Sequence, residues 1–83
     1  MEKYTEFQKE YFVEKLKKAL KNKEIEADTA ILMLSHLAIL GKIEPRELTG
    51  LFKKLFEGAD KETVILGFLR AKKVIEDKEL VQV

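Results

Sequence analysis

The chain is expected to fold as an all-α protein, a compact four-helix bundle of two helical hairpins with the second helix buried at its centre. Three observations lead there. Apolar residues recur at helical spacing in four stretches, most of those stretches are bracketed by residues that start or stop helices, and the second is apolar almost all the way round.

Helix one is placed at about residues 5–21. Thr5 and Gln8 fit a capping box, in which the threonine hydroxyl takes the amide at the third helical position and the glutamine reaches back. Glu2, Glu6, Glu10 and Glu14 fill the first half, and Lys15, Lys17, Lys18, Lys21 and Lys23 the end, an order that complements the helix dipole. Asn22 is the expected left-handed stop. Helix two takes Asp28 as N-cap and Gly41 as stop. Between them Ala30–Leu34 and Leu37–Leu40 leave Asp28, Thr29, Ser35 and His36 as a narrow polar stripe, the pattern of a buried helix.

Pro45 suits the first turn of helix three, because its missing N–H has no partner there in any case. Leu48, Leu51, Phe52, Leu55 and Phe56 fall within about 140° of one another, and Gly58 ends the helix. Asp60 caps helix four, whose core stripe is Val64, Phe68, Ala71 and Ile75. The tail Leu80-Val81-Gln82-Val83 has strand composition and is also short enough to fray. A faint echo relates residues 16–20 to 51–55 and 29–32 to 63–66, consistent with two hairpins packed face to face.

Eighty-three residues fit a single helical domain, residues 1–83. An apolar share of 46% argues against disorder, and a net charge of +1 excludes a polybasic tail or an acidic mimic. There is no cysteine, so no disulfide framework and no thiolate metal site. Fourteen Lys and 12 Glu against one Asn and two Gln match the bias reported for hyperthermophiles. The N-terminal residues lack the apolar core of a signal peptide, and the longest apolar stretch, Ala30 to Leu40, is too short to span a bilayer. A cytoplasmic protein is expected.

The chemistry available is thin. His36 finds only Leu32, Met33, Ile39 and Leu40 at the spacings of a helical metal site, and Ser35, adjacent in sequence, points about 100° away. The glutamate pairs of helix one sit among lysines and read as a solvated, ion-paired face. No glycine-rich phosphate loop is present. Neither an enzyme nor a cofactor, metal or small-molecule substrate is expected.

Two functional readings remain. Residues 31–48, followed by Leu51-Phe52-Lys53-Lys54-Leu55-Phe56, the turn Glu57–Asp60 and Thr63-Val64, resemble a helix-turn-helix, with Lys72-Lys73-Val74-Ile75 and Leu80–Val83 as the end of a recognition helix and a stub of wing. Over residues 28–83 the chain is similar to winged helix-turn-helix regulators. That resemblance implies a C-terminal strand and DNA binding by the fourth helix through Lys61, Arg70, Lys72 and Lys73. Against it, Ile65 and Leu66 stand where base or phosphate contacts belong, and Glu62, Glu76 and Asp77 dilute the charge.

The preferred reading follows from apolar residues that miss the core stripe of their own helix. Tyr4, Phe7 and Tyr11 lie roughly 160° from the Phe12/Val13/Leu16/Ala19/Leu20 face, and Leu66, with Ile65 and Leu69 on its shoulder, departs from the helix-four stripe. These six residues are the expected partner-binding surface of an interaction or adaptor module. Its partner is another protein or a second copy, a homodimer being the simplest case.

Overall fold

The computed structural model describes the backbone of residues 2–81 and the side chains of residues 2–77. The elements follow in the order α1 (Glu6–Lys21), α2 (Ala27–Ile39), a 3-10 turn (Pro45–Glu47), α3 (Leu48–Leu55) and α4 (Lys61–Val81). Among the described residues there is no strand, and the four helices pack against one another as an all-α bundle.

Local chemistry accounts for most boundaries. The Thr5–Gln8 capping box forms in full, with the Gln8 amide donating to the Thr5 hydroxyl at 3.1 Å and the Thr5 amide to the Gln8 side chain at 2.9 Å. Asp60 likewise starts α4, accepting from the Thr63 amide and hydroxyl at 2.8 and 2.7 Å. Gly41, at φ +78°, supplies the left-handed residue after α2.

Other expectations are corrected. Asn22 is not left-handed; it sits at φ −85°, and the next residue, Lys23, takes the left-handed turn at φ +58°. The Glu24 amide donates back to the Ala19 carbonyl and the Lys23 amide to Leu20, the paired bonds of a Schellman stop. Helix two begins a little earlier than expected, with Glu26 at the cap position, so Asp28 lies inside the first turn and its carboxylate pairs with Arg70 of α4. Pro45 opens a separate 3-10 turn that leads into α3. At the C-terminus α4 continues through Val81, so residues 80 and 81 are helical and do not begin the strand that the winged-helix resemblance implied; Gln82 and Val83 lie outside the described residues.

The packing has a simple logic. Helix α2 lies along α4 and α1 lies against α3, while α3 touches each of the other helices; among the described residues α1 and α4 do not meet. The core is filled by Val13 and Leu16 of α1, Ala30, Ile31, Leu34 and Ala38 of α2, Ile43 of the following loop, Leu48, Leu51, Phe52 and Leu55 of α3, and Ala71 of α4. Gly67 of α4 is buried against Ile31 of α2 and Phe56; an added Cβ would meet the Ile31 side chain at 3.4 Å, an ordinary van der Waals contact. Ser35 is also fully buried, and its hydroxyl donates to the Ile31 carbonyl at 2.7 Å. Burial of α2 is therefore one-sided: Leu32, Met33 and Leu40 remain exposed although the helix touches all of its neighbours.

Two substitutions should move stability in opposite directions. Phe52, with no exposed surface, is expected to cost about 3–5 kcal/mol as Phe52→Ala. Lys23→Gly should instead stabilise by about 1 kcal/mol, because glycine removes the Cβ penalty of the left-handed turn. Urea unfolding followed by circular dichroism measures both, and a destabilised Lys23→Gly variant contradicts the stop described here.

Candidate functional site

Three outward faces carry large apolar side chains. On α1, Phe7 is 76% exposed and Tyr11 56% exposed. Their rings stack with centroids 6.4 Å apart and planes inclined by 18°, and the Lys15 ammonium stands 5.1 Å from the Tyr11 ring centre. Successive positions four apart thus form an aromatic-to-cation ladder along the solvent side of α1.

Tyr4 does not join that ladder. It lies before the Thr5 cap in extended backbone, is half-buried and packs on the core. Its amide donates to the Lys42 carbonyl at 2.7 Å, the Lys42 ammonium lies 5.8 Å from its ring centre, and neighbouring Lys3 pairs with Glu44. The N-terminal segment is thereby tied to the loop between α2 and the 3-10 turn.

The second face belongs to α4. Ile65, Leu66 and Leu69 are all about half exposed, on the side of the helix away from Val64, Gly67, Phe68 and Ala71. The two groups expected to form one surface lie on α1 and α4, helices that make no contact with each other among the described residues.

The third face, on α2, was missed by sequence reasoning. Leu32, Met33 and Leu40 surround exposed Thr29 and His36. The signal was the polar stripe itself: Thr29 and His36 mark the solvent side, and the apolar residues beside them go with it. Leu32 faces α4 across a shallow groove that includes Arg70, Lys73 and Val74.

The cations considered for DNA binding are not gathered on one face. At 100° per residue Lys61, Arg70, Lys72 and Lys73 spread over about 180° of α4, and Arg70 is held by Asp28. A denser set of lysines lies on α1, where Lys15, Lys17, Lys18 and Lys21 line an open groove of about 740 Å³ with Tyr11 at its edge. Lys17 is engaged there by Glu57 at 2.9 Å and by Glu14 at 3.7 Å.

These ion pairs set the titration behaviour. The hydrogen bond from Lys17 holds the Glu57 carboxyl below its ordinary range, and the same bond raises Lys17. Lys9, drawn between Glu47 and Glu6, is raised for the same reason, chiefly by its bond to Glu47. Asp60 is lowered by the Thr63 hydroxyl and then by the Thr63 amide. Among the described residues no group of three or more His, Cys, Asp or Glu side chains is placed to hold a metal ion, and no helix is long and apolar enough to cross a membrane.

No known family model, curated protein or solved structure matches the chain.

Asp60 gives a pH prediction. Its folded pKa is depressed, so the stability it contributes is full above its ordinary value near 3.8 and is lost as pH falls through the lower folded value. Melting temperatures of the wild type and Asp60→Ala, compared from pH 7 to pH 2, should differ most at the upper end and converge in acid. A gap that is unchanged at pH 2 contradicts the role assigned to the carboxylate.

Proposed function

We propose that this chain is a non-enzymatic, cytoplasmic helical interaction module that works by burying apolar side chains against another protein chain, and that it self-associates. The observation that carries this reading is the set of eight large apolar side chains left at least 43% exposed among the described residues, grouped on three helix faces. Single exposed leucines are normal on any surface; groups of them at helical spacing mark docking surfaces. The Phe7–Tyr11 stack adds the rigid aromatic anchors in which interface energy concentrates.

Supporting this over nucleic-acid binding, the α4 cations are dispersed, and Lys17 in the α1 groove is neutralised by Glu57 and Glu14. The helical positions three and four residues from His36 hold Leu32, Met33, Ile39 and Leu40, none of them a base or a nucleophile.

Light-scattering mass determination at 0.1 and 1 M salt, with and without duplex DNA, tests the reading. The expected result is a mass above the 9.6 kDa of one chain that persists at high salt and ignores DNA. A monomer at every concentration, or binding to DNA that weakens steeply with salt, overturns it.

A further inference from the structure

We propose that the occupant of the outward face of α4 is the same face of a second copy, with the two helices antiparallel about a two-fold axis passing between Leu66 and Leu69. This rests on the self-association reading above and specifies which face pairs, and in which register.

Glu62, Leu66, Leu69 and Lys73 follow one another at intervals of four, three and four residues. At 100° per residue they occupy an arc of about 60°, centred directly opposite the Val64/Phe68/Ala71/Ile75 stripe. All four are exposed, Leu66 by 55% and Leu69 by 52%. The spacing is that of a helix-pairing seam, two apolar positions bracketed by two charged ones.

The charges select the orientation. In an antiparallel pair Leu66 of each copy meets Leu69 of the other, and Glu62 of each copy meets Lys73 of the other, so the contact is made twice by symmetry. In a parallel pair each charge would face its own kind. Neither Glu62 nor Lys73 is engaged in an ion pair within its own chain among the described residues, whereas neighbouring Arg70 is held by Asp28. Ile65 widens the apolar contact on one flank of the seam, and the groove shared with Leu32 borders the other. The α2 face has no comparable selectivity: residues 32–40 contain no Asp, Glu, Lys or Arg to fix a register.

The test is a charge exchange read by sedimentation equilibrium at low salt. Glu62→Lys alone and Lys73→Glu alone should each weaken the dimer by roughly tenfold or more, since each places like charges opposite one another at both ends. The double variant Glu62→Lys/Lys73→Glu should recover wild-type affinity. Because both sites are exposed, helicity and melting temperature of the isolated chain confirm that the fold is kept. A dimer indifferent to the single substitutions, or a double variant that stays weak, overturns the α4 register while leaving self-association in place. A wild type that is monomeric at all concentrations removes both. A dimer that instead dissociates with Phe7→Glu/Tyr11→Glu assigns the contact to α1 and overturns the proposal.

Discussion

Phe52 has no exposed surface, and the bundle is arranged around the short helix that carries it. Helix α3 is only eight residues long, yet Leu48, Leu51, Phe52 and Leu55 are all buried, and it is in contact with α1, α2 and α4. Since α1 and α4 do not meet, the position of each is set through α2 and α3. A void at Phe52 would loosen contacts to more than one element at once, which is why close packing at this point matters more than any surface ion pair.

The same arrangement explains the surplus apolar surface. With two helices laid over two others, each helix turns one side to the core and one to solvent. The α2 sequence carries more apolar residues than one side can hold: Ala30, Ile31, Leu34 and Ala38 go in, and Leu32, Met33 and Leu40 stay out. On α4, Gly67 and Ala71 are buried on the core side, while Ile65, Leu66 and Leu69 project away from it. The larger side chains on α4's outer face are the ones proposed above to be covered by a second copy.

Legibility in the sequence tracked how local the determining physics is. The caps at Thr5 and Asp60 and the glycine stop at Gly41 were readable because each depends on bonds within a few residues. The left-handed turn at Lys23 was not: nothing favours lysine there, and the following Schellman bonds and the packing of α1 fix it instead. Asp28 looked like a cap because its type fits, but the partner that claims it, Arg70, is 42 residues away. The surface residues divide in the same way. Phe7, Tyr11, Leu66 and Leu69 lie inside regular helices, where counting 100° per residue gives their direction. Tyr4 lies before the cap, in extended backbone, so that counting does not apply to it. The outward residues of α2 were harder to read: the polar stripe marks the solvent side only narrowly, Ser35 within it is buried, and Leu32, Met33 and Leu40 on its flanks are exposed.

The outward side of α4 is proposed to be covered when two chains meet. Methyl and aromatic NMR signals followed through a dilution series measure this residue by residue. Concentration-dependent shifts and broadening are expected at Leu66 and Leu69, with Ile65 following and with Phe7 and Tyr11 unmoved. Shifts confined to Phe7 and Tyr11, or an absence of any change across the series, would contradict it.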